Sequence, residues 1–151
     1  MTGGKVVEIV GPAGSGKTRL LDAVLQRHLS GALRGSCTQY GVASPYSVFR
    51  PLLRSALGID LYTDATTTGD ILTKVVRAEC EHLLPMVPLL AVPFGAEVPD
   101  TEEADAIDAE FRRAVLDRTM TEFLQAVAPG SATVVLEDVQ WIDEASAALL
   151  T

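Results

Sequence analysis

Apolar residues fall along the chain in two rhythms, one of strands and one of helices. Residues 5–10, KVVEIV, are a short β-branched run that stops at Gly11 and suits a buried strand. From Lys17 the spacing turns helical: Leu20, Leu21, Val24, Leu25 and Leu29 share a face, and Gly31 supplies a stop. A weaker strand signal covers 36–40, bounded by Gly35 and Gly41. Ser44 and Pro45 read as a cap and a first helical position, and Phe49, Leu52, Leu53 and Leu57 carry that helix onward. The threonine-rich stretch 63–69 reads as a loop, after which Ile71, Val75, Ala78 and Leu83 mark another helix. The apolar run 83–94 is broken by Pro85, Pro88 and Pro93, which predicts a buried helix end and a connecting loop. Asp100 with Glu103 resembles a capping box before a long helix bearing Ile107, Phe111, Val115, Phe123, Leu124 and Val127, closed by Pro129 and Gly130. Residues 132–136 form the second strong strand, and Asp143 is placed to cap a helix opening at Glu144.

Strand, glycine loop, helix, strand, a block of helices and a last strand predict an α/β fold with a parallel sheet and a helical insert at about 45–128. A length of 151 residues with 48% hydrophobic content supports one core rather than two. Twelve basic against twenty acidic residues leave a net charge of −8, which argues against direct nucleic-acid binding by this segment and against anionic membrane surfaces. No run reaches the ~18 apolar residues of a membrane span, and the first ten residues lack the apolar core of a signal peptide, so the expected compartment is cytoplasmic. Cys37, Cys80, His28 and His82 do not make a zinc site by their spacing, and the two cysteines read as small buried hydrophobes.

The chemistry lies in two places. Gly11-Pro12-Ala13-Gly14-Ser15-Gly16-Lys17-Thr18 fits the GxxxxGK[ST] pattern at every defined position, between a predicted strand and a predicted helix. Glycines let the backbone wrap a phosphate chain, amide hydrogens of about 14–18 point inward, and the helix start adds its dipole. Lys17 is expected to reach the β and γ phosphates, Thr18 to ligate magnesium, and Arg19 to continue the cradle into the helix. A chance glycine turn needs neither the lysine nor the hydroxyl. The second place is the strand end, where Glu137 and Asp138 offer a carboxylate for magnesium and one to orient water. Adjacent residues on an extended chain point oppositely, so the two are expected to divide those tasks. Lys17, Glu137 and Asp138 are therefore the candidate catalytic residues; Thr18, Glu137 and Asp138 are the candidate magnesium ligands. Trp141, the sole tryptophan, is expected to pack, and Arg112, Arg113 and Arg118 to lie on a solvated helix face rather than act as an arginine finger.

With GPAGSGKT at 11–18, SPYSVFRPLLRSALGI at 44–59, LLPMVPLL at 83–90 and VVLEDVQWIDEASAALL at 134–150, the chain resembles the ATPase domain of the signal-transduction ATPases with numerous domains, relatives of the AAA group. The likeness is to the version in large LuxR-type transcriptional regulators and multidomain class III nucleotide cyclases. It implies a three-layer α/β/α phosphate-loop NTPase fold, here incomplete with about three strands. It also implies ATP and magnesium as ligands, ADP as product, and a conformational switch coupled to homo-oligomerisation that governs an effector or DNA-binding domain outside this chain. In that family the first strand-end acid, usually aspartate, handles magnesium and the second orients water. Here Glu137 and Asp138 take those places, an order expected to weaken turnover. The family fold continues past this motif, so residues 1–151 are expected to be the N-terminal part of one ATPase domain, weak or inactive alone. The residues themselves leave open a small-molecule kinase and a nucleotide-binding scaffold without turnover.

Overall fold

The computed structural model describes residues 5–28, 32–127 and 133–150. The chain divides into two compact units, Met1–Ala32 and Leu33–Thr151. In the first unit, helix α1 spans Lys17–His28 and follows the glycine loop directly. Residues 5–10 take no strand, contrary to the reading of KVVEIV. Val6 is 97% exposed and Val10 81%, so a β-branched run that needs neighbours on both sides has no ladder to join among the described residues. Leu20 and Val24 on α1 are exposed as well. Leu29 and Gly31, expected at the helix end, lie outside the described residues.

The second unit begins with strand β1, Leu33–Ser36, which pairs in parallel with β2, Val134–Glu137. The register sets Arg34 beside Val135 and Ser36 beside Glu137. These two strands are the whole sheet among the described residues, one fewer than the sequence implied. β1 lies earlier than the 36–40 signal, and β2 continues one residue beyond the expected 136; Ala132 is outside the described residues. Helix α2, Phe49–Ala56, packs on β1. Helices α3, Ala65–Glu79, and α4, Val87–Phe94, follow, joined by a 3-10 segment, Glu81–Met86. A short α5, Glu102–Asp105, precedes α6, Ala109–Val127, and α7 is Glu144–Ala148.

The helical insert is where the core sits. Leu72 and Val76 of α3, Leu90 and Phe94 of α4, and Met120 and Phe123 of α6 are buried together, with the Phe94 and Phe123 rings edge to face at 5.8 Å. The buried α3 stripe thus centres on Leu72 and Val76; of the expected residues Val75 packs at its edge and Leu83 is buried with it. The run 83–94 is helical rather than a helix end and loop: Pro88 lies in the first turn of α4, where its missing N–H costs no bond. The threonine stretch is also helical. Asp64 caps α3 by accepting from the Thr67 amide at 2.8 Å, and the Thr68 and Thr73 hydroxyls bond back to carbonyls four residues earlier. Thr101, not Asp100, caps α5, accepting from the Ala104 amide at 3.2 Å, and the expected long helix is broken between α5 and α6. Pro129 and Gly130 lie outside the described residues. Among the described residues no helix is long and apolar enough to cross a membrane.

Candidate functional site

In the first unit the loop 11–18 has the form its sequence asks for. Gly14 and Gly16 adopt φ of 76° and 87°, conformations that carry no steric penalty only without a Cβ. The Ser15 amide closes a turn on the Pro12 carbonyl at 3.2 Å, and the Leu20 amide bonds the Gly16 carbonyl at 2.9 Å as α1 begins. The first-turn amides of Lys17, Thr18 and Arg19 have no preceding helical carbonyl to bond, and the helix dipole adds positive potential there. Gly14, Ser15, Gly16, Thr18 and Arg19 are exposed. Lys17 Nζ donates to the Gly11 carbonyl at 2.8 Å and to the Pro12 carbonyl at 3.0 Å, so two loop carbonyls hold the ammonium across the loop mouth. A polyanion with its own oxygens is a direct competitor for that ammonium. Open amides, a dipole and a cation with no carboxylate partner among the described residues fit a phosphate chain. Thr18 presents a hydroxyl of the hard-oxygen type that magnesium takes.

In the second unit Glu137 and Asp138 stand at the end of β2, but they do not alternate as on an extended chain. Asp138 leaves the strand with φ 54° and ψ 39°, a left-handed backbone in a non-glycine residue. A 3-10 turn, Val139–Trp141, starts there, with the Trp141 amide bonding the Asp138 carbonyl at 2.9 Å. The Asp138 side chain is exposed and accepts from Gln140 Nε2 at 3.5 Å. Glu137 is more covered and accepts from Arg34 Nε of the neighbouring strand. Trp141 is 38% exposed, so it does not fill the core as expected. It closes the 3-10 turn that follows β2.

Asp143 does more than cap α7. It is 2% exposed and accepts from the Ser146 amide and hydroxyl, at 2.8 and 2.7 Å. It also accepts from the Tyr46 amide at 3.0 Å, the Ser47 amide at 3.1 Å and the Ser47 hydroxyl at 3.0 Å. Burial pushes its carboxyl up, but the donors from Ser146, Tyr46 and Ser47 outweigh that and hold it below the ordinary carboxylate value. This clasp explains why Ser44 and Pro45 do not open a helix: Tyr46 is pinned at φ 60° with its ring buried, and α2 starts only at Phe49. The S-P-Y-S and D-E-A-S stretches each looked like separate helix starts, and no spacing rule joins residues so far apart.

Arg113 bonds the Ala145 carbonyl and Asp117, while Arg118 pairs with Glu122 and Arg112 with Asp105, all partly exposed on or beside α6. Cys37 and Cys80 are buried free thiols, each pushed up chiefly by burial, with Asp143 and Asp138 adding to Cys37 and Glu79 to Cys80. Among the described residues no three of His, Cys, Asp and Glu gather to hold a metal. The phosphate loop lies in the first unit and the strand-end acids lie in the second. No curated protein and no solved structure matches the chain. The family model described as AAA ATPase domain matches residues 1–151.

Proposed function

The chain belongs to the AAA ATPase domain family, and from that premise we propose that it is an ATP-binding and ATP-hydrolysing switch module of a multidomain signalling or transcription-regulating protein. An AAA-type domain is a phosphate-loop α/β fold that binds nucleotide, and three α/β/α layers around a parallel sheet are the architecture we assign to the whole domain. The observation that carries the reading is the loop 11–18, with its left-handed glycines, its exposed amides and Lys17 resting on two carbonyls.

In the proposed mechanism the loop amides and the α1 dipole hold the β and γ phosphates, and Lys17 exchanges its two carbonyl partners for phosphate oxygens. Arg19 contributes its first-turn amide. Thr18 would supply a hydroxyl ligand for magnesium, and the strand end a carboxylate. Magnesium, when bound, offsets negative charge on the phosphate oxygens. Asp138 orients the attacking water and accepts its proton. The nucleotide state then governs self-association and an effector or DNA-binding domain elsewhere in the protein, in a cytoplasmic setting.

Phosphate release from ATP tests this directly. Weak, single-turnover release by the 151-residue chain is expected, abolished by Lys17→Ala together with binding, and abolished by Asp138→Asn with binding kept. ATP bound without release would make the chain a nucleotide-binding scaffold, and release only with an added small acceptor would make it a kinase.

A further inference from the structure

The two strand-end acids are not equivalent. Parallel pairing puts Arg34 and Ser36 on the same face of the sheet as Val135 and Glu137, so Arg34 and Glu137 are diagonal neighbours across the ladder. Arg34 Nε donates to Glu137 Oε1, with the glutamate side chain 18% exposed and the arginine 39%. A carboxylate whose Oε1 is held by a guanidinium has part of its negative charge already matched and is the poorer ligand for a cation. Asp138, one residue on, has left the strand in a left-handed conformation, and its carboxylate is exposed with only the long contact from Gln140 among the described residues.

Resting on the ATPase reading above, we propose that Arg34 withdraws Glu137 from magnesium, so that Asp138 serves the metal as well as the attacking water. Arg34 is then a positioning residue that acts through Glu137 and sets how strongly the strand end attracts a divalent cation. The order of the acids, long then short, follows from this division: glutamate has the reach to meet Arg34 across the strands, while aspartate tolerates the left-handed turn. Glu137, read from the sequence as a magnesium ligand and catalytic residue, becomes the partner of a strand-crossing ion pair.

The test is Mn²⁺ titrated into the ADP-saturated 151-residue chain and followed by electron paramagnetic resonance, a readout independent of turnover. Arg34→Gln is expected to tighten Mn²⁺ binding roughly two- to fivefold, the scale of one partly exposed charge pair. Arg34→Lys, which keeps the cation, should stay near wild type. The gain should vanish in Arg34→Gln/Glu137→Gln, because the arginine acts through the glutamate. Asp138→Asn should weaken Mn²⁺ by about tenfold or more, and Glu137→Gln alone should leave it nearly unchanged. Unchanged or weaker binding in Arg34→Gln, or a Glu137→Gln loss as large as that of Asp138→Asn, would overturn the proposal. If Arg34→Gln does not fold, the contrast between Glu137→Gln and Asp138→Asn decides it alone. Failure of ADP to bind at all would count against the ATPase reading instead.

Discussion

The unit that holds the phosphate loop and the unit that holds the core use apolar residues in opposite ways. Among the described side chains of residues 5–28 none is buried, and Val6, Val7 and Val10 face solvent. In the helical insert Leu72, Val76, Leu90 and Phe94 are fully enclosed. Yet the exposed unit carries the more exact local geometry, because a glycine loop running into a helix is specified by consecutive residues and needs little from the rest of the chain. Burial and functional shape are thus separable here. The helical core holds the buried apolar side chains, and the phosphate-binding role proposed above falls to the loop.

The widest separation should appear in core truncation. Phe94→Ala removes a fully buried ring stacked edge to face on Phe123 and is expected to cost about 3–5 kcal/mol in urea unfolding. Val6→Ser should change stability by no more than about 0.5 kcal/mol. Equal losses from the two would erase the contrast between the units.

Asp143 sharpens the comparison from the polar side, since it ties 46–47 to α7 inside the core-bearing unit. Asp143→Ala strands buried amides of Tyr46 and Ser146 and should cost about 3 kcal/mol. Its folded pKa lies below the unfolded value, about 3.9 for aspartate. The stabilisation is therefore present in full above that value and is lost as pH falls through the folded pKa. Melting temperature against pH should drop on the acid side in wild type and flatten in Asp143→Asn.

Two glycines divide along the same line. A Cβ at Gly69 would lie 1.9 Å from the Glu97 carbonyl oxygen, so Gly69→Ala should destabilise by about 2 kcal/mol. A Cβ at Gly14 meets nothing within 4 Å but sits at φ +76°. Gly14→Ala should cost only about 1 kcal/mol of stability while weakening nucleotide binding, readable as a small melting shift beside a large affinity loss.

What could be read from the sequence follows this division. The loop 11–18, the helix after it, the strand ending in Glu137 and the Asp143 cap were legible because each depends on neighbours within a few positions. Residues 5–10 were misread because a β-branched run states a preference that only partner strands can realise. The threonine stretch was misread because side-chain composition hid the Asp64 cap. The Asp143 clasp on Tyr46 and Ser47, and the Arg34–Glu137 pair, join residues about a hundred positions apart, and no periodicity or spacing rule reaches that far.

The most direct measurement is titration of the 151-residue chain with a fluorescent ATP analogue and magnesium, beside Lys17→Ala. Saturable binding by wild type is expected, weakened about tenfold or more in the variant through loss of a charge-assisted phosphate contact. Both proteins should melt together, because among the described residues Lys17 bonds only the Gly11 and Pro12 carbonyls. Equal affinity in the two proteins, or no saturable binding by wild type, would contradict the assignment of residues 11–18 as a nucleotide cradle.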